Sequence, residues 1–132
     1  MAYAFSSLDE LGDGVVRKIR PALEISAFGA NAWVLAPGVE SRPHSHEEQD
    51  ELYFVHRGRA RFRLPGETRE LGPGGLCHVE STTQRKFSNV GDDDLVVFIV
   101  GGKDGYVDRD GHLVNPDDLE KRMRFGKTGD AS

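Results

Sequence analysis

Two histidines separated by a single residue, His44 and His46, form the spacing in this sequence that most directly indicates chemistry. A β-strand sends alternate side chains to the same face, so two imidazoles at this spacing leave one strand side by side. Imidazole is the commonest metal ligand in proteins, and Glu51, at the start of a β-prone run, could add a carboxylate oxygen. The three residues predict a site for one divalent metal ion. The alternative is that both histidines are exposed on a polar loop and Glu51 is one more solvated acid.

Short strands between tight turns must position these residues. Runs rich in β-branched and aromatic residues alternate with glycine and proline turns, and the chain has 16 glycines. The predicted strands span 15–19, 23–35, 42–46, 52–57, 60–64, 76–80, 84–88 and 95–100. The apolar run 95–100 is typical of a central strand covered on both faces. This series predicts an all-β sandwich or barrel of roughly eight to eleven antiparallel strands.

Two short helices are predicted outside this series. A capping box at 7–10 predicts one or two helical turns before the first strand, and proline after Asn115 predicts a short C-terminal helix over 116–124. The 132 residues fit a single domain, with a barrel core over about 15–101 and an Asp- and Gly-rich extension over 102–132. His112 in that extension is expected to have no chemical role.

The composition argues against nucleic-acid and membrane partners. The net charge is −5, and the basic residues are dispersed among acids, so there is no broad basic surface for DNA or RNA. No apolar stretch approaches the length of a membrane span, and no export signal is recognisable. The single cysteine, Cys77, cannot form an internal disulfide, which favours a reducing cytoplasm.

The stretch around the histidines resembles the first sequence motif of the cupin superfamily. Gly38, His44, His46, Glu51 and Gly58 stand at each of its fixed positions, with the expected five, four and six residues between them. The resemblance covers roughly residues 30–100. It implies a small jelly-roll fold of the cupin type, in which this motif supplies two histidines and a glutamate to one divalent metal ion. A fold of this kind does not fix an activity.

The second cupin motif is altered in this chain. Residues 80–89 are similar to it only at Asn89, and Arg85 occupies the position of the family's third histidine. A guanidinium stays protonated and cannot coordinate a cation. Either Arg85 pairs with Glu51 in a metal-free pocket, where it makes bidentate contacts to an anion, or it turns away while a metal keeps the other three ligands. A third possibility is that Arg85 is a surface charge.

Several other side chains are candidates for the same site. His78 is a possible replacement nitrogen ligand, although Cys77 and His78 point to opposite faces and only one can be inward. Tyr53, Phe87 and Trp33 are candidate ligand contacts, and each could equally be a core residue.

These observations predict a small cupin that binds a small polar or anionic molecule in its interior, with Fe, Mn, Ni or Zn as a possible cofactor. The alternatives are a metal-dependent dioxygenase or isomerase of a small metabolite, and a non-catalytic ligand sensor. The expected partners are a small-molecule ligand and a second copy of the chain, because cupins often pair through their outer strands.

Overall fold

The computed structural model describes residues 2–108 and 110–113, and the regular secondary structure of these residues is almost entirely β-strand. In chain order the elements are β1 (Val16–Lys18), α1 (Ile19–Ala22), β2 (Gly29–Leu35), β3 (His44–His46), β4 (Asp50–Arg57), β5 (Ala60–Leu64), β6 (Glu67–Leu71), β7 (Leu76–Val79), β8 (Lys86–Asn89), β9 (Leu95–Gly102) and β10 (Gly111–Leu113).

The strands form two layers. One is a five-stranded antiparallel sheet in the order β1-β2-β9-β4-β7. The other consists of the sheets β6-β5-β8 and β10-β3, which are joined by the bridges Glu40 to Ser88 and His44 to Arg85. The predicted all-β fold is therefore confirmed, and the architecture is a sandwich of two open layers. β9 is the central strand of its sheet, as predicted.

The core between the layers is centred on aromatic rings. Tyr53 lies 5.4 Å from Phe62 and 5.7 Å from Phe87, and Trp33 lies 5.5 Å from Phe87, measured between ring centroids. Tyr53 and Trp33 come from the five-stranded sheet, whereas the two phenylalanines come from β5 and β8. Edge-to-face pairs of this kind contribute about 0.5–1.5 kcal/mol each beyond the burial of their area. The rings hold the two layers in a fixed relation.

Gly58 fixes the turn between β4 and β5. Its φ of +87° lies in the left-handed region, and a Cβ there would stand 2.7 Å from the carbonyl oxygen of Asp94. Only glycine avoids both the strain and the clash. The turn ends β4, the strand on which Glu51, Tyr53 and Val55 all point inward.

Two of the predicted elements differ from those in the structure. The strand predicted from residue 23 begins only at Gly29, because the chain first makes the helical turn α1 and passes through Glu24 at a φ of 56°. The predicted N-terminal helix is a turn, in which Ser7 accepts a hydrogen bond from the backbone of Glu10 at 3.3 Å. The predicted C-terminal helix lies outside the described residues.

The outer face of β9 is also less covered than predicted. Val96 is buried, but Val100 is 39% exposed, so the strand is covered on both faces only at its start. None of the helices in the described part of the chain is long and apolar enough to cross a membrane.

Candidate metal centre

His44, His46 and Glu51 meet in the interior from opposite layers. β3 turns both histidines inward, leaving them 5% and 1% exposed, while β4 presents Glu51 at 1% exposure. One ligand atom from each residue lies within 4.8 Å of the other two. The alternation expected from the sequence thus brings all three side chains to one point.

The two oxygens of Glu51 have different surroundings. Oε1 accepts hydrogen bonds from Tyr53 Oη at 2.6 Å and Arg85 Nη1 at 2.9 Å, and it lies 3.2 Å from His46 Nε2. Oε2 has no hydrogen-bond partner among the described residues. Burial alone would raise the pKa of this carboxyl, but contacts with His44 and His46 outweigh burial and bring its pKa below the usual range. Glu51 is a carboxylate with one oxygen held and the other available.

The histidines are anchored through Nδ1 and present Nε2. His44 Nδ1 lies 3.1 Å from the Arg42 carbonyl oxygen, whereas His46 Nδ1 lies 3.3 Å from Gln49 Nε2 and 3.6 Å from Asp110 Oδ2. Within the described ranges, neither Nε2 atom has a hydrogen-bond partner. Burial lowers the pKa of His44, so its ring is favoured in the neutral form that carries a lone pair. Two nitrogens and one oxygen are a donor set that suits a first-row divalent ion.

Arg85 is buried beside Glu51 and is only 1% exposed. Its Nε donates to the Thr83 carbonyl at 2.9 Å, and its Nη2 donates to the carbonyls of Glu80 at 2.6 Å and Ser81 at 3.2 Å. With Nη1 bonded to Glu51, at most one of the five guanidinium N–H groups remains for a ligand. Arg85 therefore holds Glu51 and the 80–83 loop in place, and this arrangement leaves no bidentate clamp for an anion.

Gly101 makes room for the glutamate. On the neighbouring strand β9 it pairs with Glu51, and a Cβ at this position would lie 3.2 Å from the Glu51 side chain and 3.5 Å from that of Gln49. Because Gly101 has no side chain, the side chains of Glu51 and Gln49 can pack directly over the backbone of β9. This contact explains a glycine at the end of an otherwise apolar strand.

A known family model matches the part of the chain that forms this site. The model described as the cupin domain matches residues 31–101, which is more than half of the chain. The chain belongs to the cupin family. The match covers His44, His46, Glu51 and Arg85 and ends before β10.

Solved structures show the same cupin fold. A cupin protein from Bacteroides fragilis matches with a TM-score of 0.68 at 19% identity, over 78% of this chain and 86% of its own. A cupin-superfamily sugar phosphate isomerase from Silicibacter pomeroyi matches with a TM-score of 0.68 at 23% identity, over 76% of each chain. A predicted oxalate decarboxylase from Thermotoga maritima matches with a TM-score of 0.53 at 26% identity, over 55% of this chain and 64% of its own. No curated protein gives a significant match.

The other predicted site residues have mixed placements in this cupin. Tyr53 reaches the site through its hydroxyl, and burial together with the nearby Glu51 charge raises its pKa well above the usual value. Phe87 packs among three aromatic rings as a core residue, and Trp33 lies beside it with an unpartnered Nε1 among the described residues. His78 is exposed on the outer face of β7, so it lies away from the three ligand atoms.

Three buried polar residues near or facing the interior were missed by the sequence analysis: Asn31, Gln49 and Asp110. Asn31 alternates inward with Trp33 on β2, and a polar residue inside that apolar strand was the available signal. Gln49 lies within the acidic run 47–51 and Asp110 within the Asp- and Gly-rich tail. Their neighbours in sequence are also polar, so nothing in the sequence distinguishes these two positions.

Proposed function

We propose that this cupin holds one divalent metal ion through His44, His46 and Glu51 and binds a small polar or anionic molecule beside it. The observation that carries the proposal is the convergence of three buried donor atoms without partners among the described residues. Leaving a buried polar atom unpaired costs about 1–3 kcal/mol. A cation would supply the missing interaction to all three atoms at once.

The net charge of the site favours the binding of a cation, and the bound cation would in turn favour an anionic ligand. Among the buried charged side chains that the structure describes, Glu51 and Asp110 are acidic and Arg85 is basic, which leaves one negative charge when both histidines are neutral. A divalent ion would reverse that sign and attract an anionic ligand. When bound, the ion supplies a Lewis acid to such a ligand. The hydrogen bond from Arg85 holds Oε1 of Glu51 in place for this purpose.

Two further donors support a ligand that carries acceptor oxygens. Asn31 Nδ2 and Trp33 Nε1 are buried without hydrogen-bond partners in the described part of the chain. They occupy alternate inward positions of β2, so both N–H groups face the space between the layers. Carboxylate, phosphate or hydroxyl oxygens would satisfy them.

Metal analysis tests the proposal. Protein purified without a polyhistidine tag and soaked in iron, manganese, nickel or zinc is expected to retain about one equivalent per chain. Glu51→Gln should lower retention strongly, because an amide is a weaker ligand than a carboxylate. His78→Ala is the matched control, since it removes an exposed histidine outside the site and should change nothing. Less than a tenth of an equivalent in the wild type would overturn the proposal.

The catalytic alternatives are a metal-dependent dioxygenase and an isomerase. The neighbours of similar fold include a sugar phosphate isomerase and a predicted oxalate decarboxylase, so they support no single reaction. Metal-loaded protein should be tested for isomerisation of sugar phosphates by NMR and for oxygen uptake with small carboxylic acids. Metal-dependent binding of either ligand class without turnover would favour the sensor.

A metal-free protein that binds a polar or anionic ligand is the second candidate. The buried Arg85–Glu51 ion pair at 2.9 Å favours the absence of metal, because it already gives the carboxylate a positive partner. In that case the wild type binds little metal, and Arg85→His raises metal affinity by restoring a third imidazole. Equal metal binding by wild type and Arg85→His would count against this candidate.

We also propose that two copies pair through the outer face of the five-stranded sheet. Four exposed apolar residues form an outer apolar patch there: Leu52, Phe54, Leu76 and Val100. Phe54 pairs with Leu76, and Leu52 with Val100, so the patch is continuous. Light scattering should give the mass of a dimer, and Leu76→Glu should reduce it to a monomer. A monomeric wild type would refute the pairing.

A further inference from the structure

Asp110 is a buried carboxylate supplied from beyond the cupin match. It is 4% exposed and precedes β10, whereas the family match ends at residue 101. β10 pairs antiparallel with β3, and its Gly111 stands opposite His46. The segment after the family domain is thus attached to the strand that carries both histidines.

Backbone hydrogen bonds hold the carboxylate in place. Oδ2 of Asp110 accepts from the backbone N–H of Gln49 at 2.9 Å and of Glu48 at 3.0 Å, and Oδ1 lies 3.1 Å from the Glu48 nitrogen. The same Oδ2 lies 3.6 Å from His46 Nδ1, slightly longer than a hydrogen bond but close enough for a direct electrostatic interaction. Asp110 therefore faces the anchored side of the ring, opposite the nitrogen that faces Glu51.

This position selects one state of the imidazole. An ionised carboxylate has no hydrogen to donate, so its charge favours the ring with hydrogen on Nδ1, pointing toward it, and a lone pair on Nε2. The nearby Gln49 amide can present either its nitrogen or its oxygen to Nδ1, and so it adapts to the ring. Of these two neighbours, Asp110 is the one that imposes a preference.

We propose that Asp110 is a positioning residue for His46, and that the segment following the cupin domain completes the metal site. The inference rests on the proposed metal binding and extends it to a residue outside the family match. Carboxylates that orient a metal-binding histidine typically change metal affinity 10–100-fold when removed. The effect passes through His46, since Asp110 itself is not among the three ligand atoms.

Zinc binding by the full chain tests the role. Asp110→Asn keeps an oxygen for the backbone N–H groups but removes the charge, and it should weaken zinc affinity about 10–100-fold in calorimetric titration. The absorption spectrum of the cobalt-substituted variant should shift as the ring loses its orientation, while Asp110→Glu should recover part of the affinity. His112→Ala, on the exposed face of β10, is the matched control and should bind zinc as the wild type does.

The outcomes separate the inference from the metal proposal. If the wild type binds no metal, the metal proposal fails first and the inference falls with it. If the wild type binds zinc and folded Asp110→Asn binds it equally well, the inference alone is overturned.

A second measurement needs no variant at position 110. In the zinc-loaded wild type, the His46 Nδ1 proton should exchange slowly with water because a buried carboxylate faces it. A fast-exchanging proton there would also overturn the role of Asp110.

Discussion

The donor end of the interior, formed by His44, His46, Glu51 and Arg85, lies beside an aromatic centre formed by Tyr53, Phe62, Phe87 and Trp33. At the donor end, buried atoms remain without partners among the described residues; in the aromatic centre, rings fill the space between the layers. Only one residue of β4, Leu52, separates Glu51 from Tyr53. One step of strand alternation divides the part that can bind from the part that stabilises.

Phe62→Ala should have the largest effect on stability. Phe62 is 1% exposed and contacts the rings of Tyr53 and Phe87, so truncation leaves a cavity and should lower the free energy of unfolding by about 4 kcal/mol. Urea denaturation measures the loss. Zinc affinity of the folded variant should stay within a few-fold of wild type. A loss of affinity as large as that of Glu51→Gln would show that the two regions are not separable.

Arg85→Met should lower the free energy of unfolding by about 3 kcal/mol, because it leaves the buried Glu51 carboxylate without its ion-pair partner. Adding Glu51→Gln should recover part of the lost free energy of unfolding, since the uncompensated charge disappears. A double-mutant cycle in urea measures the coupling. Strict additivity would mean that Arg85 stabilises only through its bonds to the 80–83 loop.

Tyr53→Phe tests the residue that belongs to both regions. Its ring packing should survive, while the 2.6 Å hydrogen bond to the Glu51 carboxylate is lost, at a cost of about 2 kcal/mol. The unfolding midpoint in urea should fall with an unchanged slope. An unchanged midpoint would place Tyr53 wholly in the aromatic centre.

The smallest effect is a pH dependence of the metal-free protein. The pKa of His44 in the fold lies below its usual value of 6.5, so the unfolded chain takes up a proton first as the pH falls. In the presence of a chelator, the free energy of unfolding should decrease from about pH 6.5 down to the folded-state pKa. His44→Gln should flatten that part of the curve. The same slope in both proteins would assign the dependence to another group.

The sequence was sufficient for the all-β fold and for the grouping of His44, His46 and Glu51, because alternation and motif spacing are local. His44 and His46 share a face by strand periodicity alone, and Gly58 fixes where β4 turns. The hydrogen bonds of Arg85 could not be predicted from the sequence, since they depend on how the 80–83 loop folds back onto the guanidinium. Asp110 was missed because β10 has only three residues and pairs with a distant strand.

The hydrogen bond between Asp110 and the backbone of Gln49 spans 61 residues of chain. Translation adds about 5–20 residues per second, so roughly 3–12 seconds separate the synthesis of the histidine strand from that of its supporting carboxylate. During that interval both imidazoles are already in the nascent chain while β10 does not yet exist. If the centre forms as proposed, its full metal affinity is reached only after β10 has docked on β3.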